Sequence, residues 1–145
     1  TTASLPALGS AQMPTGSVIQ VVQALDSGDF STTSSAYADA NLSATITPTS
    51  TSSKILVLVS QTGFAGNSIN PNYNIVRGST VIIETYFQTQ VNGQSFGGNF
   101  LNYLDSPSTT SAVTYKTQAK TNSSTLYLNW GPTGSSTITL MEIQG

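Results

Sequence analysis

The sequence predicts an all-β fold: an antiparallel β-sandwich of about eight or nine strands. Three observations lead to the sandwich. Short apolar and β-branched blocks recur roughly every 8–16 residues. Clusters of Ser, Thr, Gly, Pro and Asn separate them. No stretch carries the 3.6-residue apolar period of an amphipathic helix.

The elements follow in order. Residues 1–16, TTASLPALGSAQMPTG, are small, Pro- and Gly-punctuated and aperiodic, as in a linker; residues 17–145 form the sandwich domain. SVIQVVQA is β-branched and apolar on both faces. NLSATITP sets Leu42, Ala44 and Ile46 on one face. KILVLVSQ is again apolar on both faces, the pattern of a central strand covered on both sides. YNIVRGSTVIIETYF reads as two strands around a turn at Arg77-Gly78-Ser79. GNFLNYLD is a strand that stops at an Asp-Ser-Pro turn. AVTYKTQAKT alternates cleanly, with Val113, Tyr115, Thr117 and Ala119 on one face and a wet face opposite. TLYLNW and STITLMEI complete the set, and the last strand predicts a packed C-terminus. Gln61–Asn72 and Gln88–Gly98 read as two long polar loops, where binding on a rigid sandwich usually resides.

Composition narrows the function. Only 7% of the 145 residues are charged, against about 25% in an average globular protein. Ser and Thr supply 44 residues, so the surface is neutral and rich in hydrogen-bonding groups. With no Cys there is no disulfide or thiolate metal site, and with no His the commonest general base and metal ligand is missing. The sequence predicts no enzyme and no cofactor. Four scattered cations and a net charge of −2 argue against nucleic-acid binding. No apolar run reaches the roughly 20 residues of a spanning helix, so no membrane insertion is expected. The first residues lack the basic start and apolar core of a secretory signal.

The blocks MPTGSVIQVVQ (13–23), FSTTSSAYADANLSATITPTSTSSKILVLVSQ (30–61), YLDSPSTTSAVTYKTQAKT (103–121) and STITLMEIQG (136–145) resemble a β-rich domain at the C-terminal ends of phage tail-fibre-like structural proteins. Many of these come from phages of cyanobacteria and marine bacteria. The resemblance covers most of the chain from Met13 and is weakest in the two long loops. It implies a virion protein, a distal knob that contacts the host surface, and a jelly-roll-like homotrimer. It also implies that residues 1–16 connect to an upstream shaft and to other virion proteins. A capsid decoration or cement protein is the alternative.

Candidate sites each carry a plainer reading. Asp105 in LDSPS has the chemistry of a catalytic acid or calcium ligand, but glycosidases need two carboxylates and none lies near it in sequence; a turn is favoured. Asp26 and Asp29 flank Gly28 as the only close acid pair, well short of a calcium shell. Trp130, with Asn129 beside it, suits a sugar face, or simply caps the row of Leu126 and Leu128. Phe64, Tyr73, Phe96 and Phe100, with Asn67, Asn70, Asn72 and Asn74, form an aromatic-plus-amide set suited to glycans or to any neutral viral surface. From these sets the receptor-binding candidates are Phe64, Asn67, Asn70, Asn72, Tyr73, Phe96, Asn129 and Trp130. Glu142 shares parity with Ile138 and Leu140, so it either sits near an exposed edge or takes Lys54 or Arg77 as a partner. Finally, two strands apolar on both faces in one sandwich predict cover from a neighbouring copy in a closed symmetric oligomer, which the resemblance to fibre tips implies is a homotrimer.

Overall fold

The computed structural model describes residues 9, 12–65, 71–86, 95–129 and 135–145, with backbone alone at 64–65 and 95–99. Ten strands run through them: β1 Val18–Asp26, β2 Phe30–Thr32, β3 Ala38–Ile46, β4 Lys54–Ala65, β5 Asn72–Arg77, β6 Thr80–Tyr86, β7 Ser95–Asp105, β8 Val113–Lys120, β9 Leu126–Leu128 and β10 Ser136–Ile143. All pairings are antiparallel.

One sheet runs β1-β10-β4, with β7 on the far side of β4; the other runs β3-β8-β5-β6. This interleaved order is that of an eight-stranded jelly roll, in which Greek-key connections pass between two facing sheets. The two remaining strands are short additions. β9 pairs with β4 at Gly63–Ala65, just beyond the reach of β10, and β2 pairs with β9.

Period-2 patterning builds the core. β10 buries Ser136, Ile138, Leu140 and Glu142 and half-exposes the residues between. β4 turns Ile55, Val57 and Val59 inward, and β3 contributes Ala40, Leu42 and Ile46 from the opposite sheet. Tyr73, Ile75 and Tyr115 close the core from β5 and β8. Each large apolar side chain among these contributes about 1.5–3 kcal/mol when taken from water, and the tight interdigitation makes the rows intolerant of truncation.

Two expectations change. The count is ten strands, because FST, the added one, is too short to show a period. The long loops are also shorter than expected. Gln61–Ala65 continue β4 and Ser95–Gly98 continue β7, in a ladder that pairs Gly63 with Gly97 and Phe64 with Phe96. Glycine marked these stretches as loop, but Gly63 is a packing glycine. A Cβ there would meet Leu128 Cδ2 at 3.0 Å and the Tyr73 hydroxyl at 3.1 Å. The turn Gly78-Ser79 is as expected, with Gly78 at φ 59° between Arg77 and Thr80.

Candidate functional site

The strand ends sort the connections into two groups. Ala65 pairs with Ser95 and Leu126, and Asn72 pairs with Tyr86 and Lys120. The chain therefore leaves and re-enters the sandwich around 66–71 and 87–94 at one end, which also carries 27–37 and 121–125. At the opposite end lie 47–53, Gly78-Ser79 and 106–112. There the segment before β1 meets the last residues: Gly16 N–H donates to Gln144 C=O at 2.8 Å, and Gln144 N–H to Ser17 C=O at 2.8 Å. A Cβ on Gly145 would collide with the Ser52 carbonyl oxygen, so the chain after β10 runs against the 47–53 connection, with Gly145 itself exposed.

The receptor candidates divide on this frame. Asn67, Asn70 and Trp130 lie outside the described residues. Phe64 and Phe96 face each other across the β4–β7 ladder at the loop end, and their side chains lie outside the described set. Asn72 is half-buried at that end. Tyr73 and Asn74 are buried, Tyr73 in the core and Asn74 beneath the outer surface of the four-stranded sheet, so neither offers itself to a ligand. Phe100, by contrast, is exposed, and it lies on the sheet face rather than in a loop.

Asn129 is fully buried too, and its role is internal. It leaves β9 in a left-handed conformation, φ 55°, at the point where the chain departs from β4 before returning as β10. Its N–H donates to Thr62 C=O at 3.1 Å, which carries the ladder one step further. Its Nδ2 donates to Asp26 Oδ2 at 2.7 Å and to Gly28 C=O at 3.2 Å, and its Oδ1 accepts from the Ser136 hydroxyl. Every polar atom of the amide is occupied, so Asn129 ties the start of the 27–37 connection to the β9–β10 junction. The Asp26 carboxylate is engaged in the same knot, with Oδ1 accepting from Gly28 N–H at 3.2 Å.

Asp105 is neither a free acid nor a solvated turn residue. It ends β7 nearly buried, and its Oδ2 accepts from Arg77 Nη1 and from the Tyr115 hydroxyl, each at 2.7 Å. Arg77 and Tyr115 are cross-strand partners on β5 and β8. One carboxylate thus joins the two sheets at the end where β7 stops. Burial pushes the Tyr115 hydroxyl pKa up, and the hydrogen bond to Asp105 pushes it further, so the proton stays on tyrosine.

Glu142 is fully buried, and its partners are neutral rather than Lys54 or Arg77. Oε2 accepts from Gln20 Nε2 at 2.6 Å; Oε1 accepts from Thr49 N–H at 2.7 Å and its hydroxyl at 2.8 Å. Arg77 is committed to Asp105. Burial pushes the Glu142 carboxyl upward, but the hydrogen bonds from Gln20 and Thr49 outweigh it and hold the pKa below the usual carboxylate value. Glu142 therefore fastens the 47–53 connection to the end of the core row.

No family model matches this chain, and no curated protein matches it. Among solved structures, it is similar to a chain of infectious bursal disease virus, Gx strain, with TM-score 0.56 and 13% identity over 97% of this chain and 37% of that one. It is also similar to chains of the T13 particle of that virus, TM-score 0.49 and 14% identity, covering 97% and 40%, and of its VP2 subviral particle, TM-score 0.46 and 13%, covering 97% and 38%. At these identities the likeness is one of fold, and it rests on the first alone. The chain spans about two-fifths of the length of the structures it matches.

Proposed function

We propose that this chain is a structural domain of a virus particle, specifically the distal knob of a phage tail fibre that meets a host-surface glycan or protein. The carrying observation is the polarity of the domain. The segment before β1 joins at one end, beside Gln144, while Phe64, Asn72, Phe96 and the bounds of 66–71 and 87–94 sit at the other. A fibre tip needs that arrangement: attachment behind, contact surface ahead. The sequence resemblance supports the reading, and the fold likeness to a chain of a virus structure is compatible with it.

In this reading three copies associate, residues 1–16 lead to other virion proteins, and the domain stands on the outside of the particle. No catalysis is assigned. Asp105 and Glu142, the two most buried carboxylates among the described residues, are both spent on internal hydrogen bonds. A hydroxyl and amide surface is also little affected by salt screening.

A purely structural capsid decoration or cement role is the second reading. It is favoured by the burial of Tyr73 and Asn129, which removes two residues from the candidate receptor surface. Adsorption separates the two. Purified chain should compete with the phage that carries it for host cells in a dose-dependent way. No competition at saturating dose would overturn the knob and leave decoration.

A further inference from the structure

The outward face of the six-stranded sheet is built from the residues that the inward rows leave over. Register aligns them: Val21 with Met141, Leu56 and Leu104 in one row; Leu25 with Thr137, Ser60 and Phe100 in another. Between lie Gln23, Thr139, Leu58 and Asn102. None of these positions carries a charge. Leu25 is 66% exposed, Phe100 75%, Val21 55%, and Val18 and Leu104 48% each.

Exposure is concentrated at the two margins. Val18, Val21 and Leu25 lie on β1, one edge of the sheet; Phe100 and Leu104 lie on β7, the opposite edge. A shallow depression of about 230 Å³ runs beside Phe100, between Leu58, Asn102, Thr137 and Thr139. The five exposed apolar side chains leave on the order of 500 Å² in water, divided between the two margins. A contact that joins the β1 margin of one copy to the β7 margin of another draws on about half of this from each, roughly a third of the ~800 Å² that one partner contributes to a standard interface.

We infer that this face is the self-association surface, and that its occupant is a second copy of this chain. The two apolar margins sit on opposite edges, so the β1 margin of one copy meets the β7 margin of the next. Such a head-to-tail contact closes into a ring when the rotation permits. It also covers the open edges of β1 and β7, whose unpaired backbone groups otherwise invite uncontrolled pairing. The rows of Val21, Gln23 and Leu25 carry no charge; Lys54 stands at the end of the face, in the row of Val18 and Ile143, where its long stem lets the ammonium stay in water. This rests on the self-association proposed above and adds the surface that performs it.

The test uses the 145-residue chain, which has no cysteine. Light scattering at micromolar concentration should report an oligomer, and L25E with F100E should reduce it to the 15.1 kDa monomer. Both substituted residues are exposed, so the circular dichroism spectrum should be unchanged. Independently, Asn102→Cys places a single thiol on the β7 margin, between Phe100 and Leu104. Its reaction with a maleimide should slow at least tenfold in the oligomer and recover on dilution. A monomeric wild-type chain at micromolar concentration would overturn both the inference and the proposed self-association. An oligomer untouched by L25E and F100E, with the introduced thiol fully reactive, would overturn the inference alone. Protection that persists in the diluted monomer would assign the cover to the chain's own residues, and would equally overturn it.

Discussion

The outward faces of the two sheets have opposite chemistry. On the six-stranded sheet, β1, β10, β4 and β7 present Val, Leu, Met and Phe among Thr, Ser, Asn and Gln. On the four-stranded sheet, four of the chain's ten charged residues gather: Asp39, Glu84, Lys116 and Lys120. They are cross-linked. Lys116 Nζ and Gln118 Nε2 donate to the two oxygens of Asp39 at 2.7 and 2.8 Å. Tyr37 donates to Glu84 at 2.5 Å, with the Lys120 ammonium 4.3 Å over its ring. Val81 and Tyr86 are the apolar exceptions, both on β6. A face meant for water satisfies its polar groups laterally. A face whose central rows lack charge and whose margins expose apolar side chains is poorly suited to water. Under the proposed self-association the two sheets divide labour, solvent on one side and assembly on the other.

The largest expected effect sharpens the contrast between inner and outer rows. Leu140→Ala, in the buried row of β10, should lower unfolding free energy by about 2–5 kcal/mol. Leu104→Ala, on the outer face, should leave the monomer within about 0.5 kcal/mol while weakening the oligomer. Urea unfolding at fixed protein concentration, with light scattering alongside, checks both, since association raises apparent stability. Equal losses would erase the distinction between the rows.

Next comes the seam between the sheets. Arg77→Met leaves the Asp105 carboxylate with Tyr115 alone. Because the Arg77 side chain is 27% exposed, the cost should be about 2–3 kcal/mol rather than that of a fully buried pair. A denaturation midpoint equal to wild type would show that the bridge is incidental.

Glu142→Gln should cost about 1–2 kcal/mol at neutral pH, since it replaces charge-assisted hydrogen bonds and turns an amide donor toward another donor. The carboxyl pKa is lower folded than unfolded. Its stabilisation is therefore fully present above the unfolded value and is lost as pH falls through the folded one. The variant should show a shallower fall in melting temperature on acidification. A parallel acid limb would mean that another carboxylate governs it.

The smallest effect belongs to the wet face. Lys116→Ala breaks an exposed pair and should change stability by under about 0.5 kcal/mol, less still in high salt. A larger, salt-resistant loss would show this face to be under more constraint than water imposes.

The fold was legible because β3, β8 and β10 alternate along their lengths, and alternation is a local property of the chain. The doubly apolar β1 and β4 also placed apolar residues on the outer face of the six-stranded sheet, where the structure leaves them exposed or half-exposed. The site residues were less legible because burial of a polar group depends on distant partners. Nothing near Asn129 in sequence announces Asp26, 103 residues away. Nothing in LDSPS announces Arg77 or Tyr115. Glu142 was legible in parity but not in partner, since its donors come from Gln20 and the turn residue Thr49, and neither is a cation. Gly63 misled because the same residue serves a loop and a close approach between side chains.

Cryo-EM of the particle that carries this chain tests the central claim most directly. The account predicts density for the domain at a fibre tip, in three copies, with the end bearing 66–71 and 87–94 pointing outward and the Gly16–Gln144 end toward the particle. Density on the capsid shell, or the loop end turned inward, would contradict it.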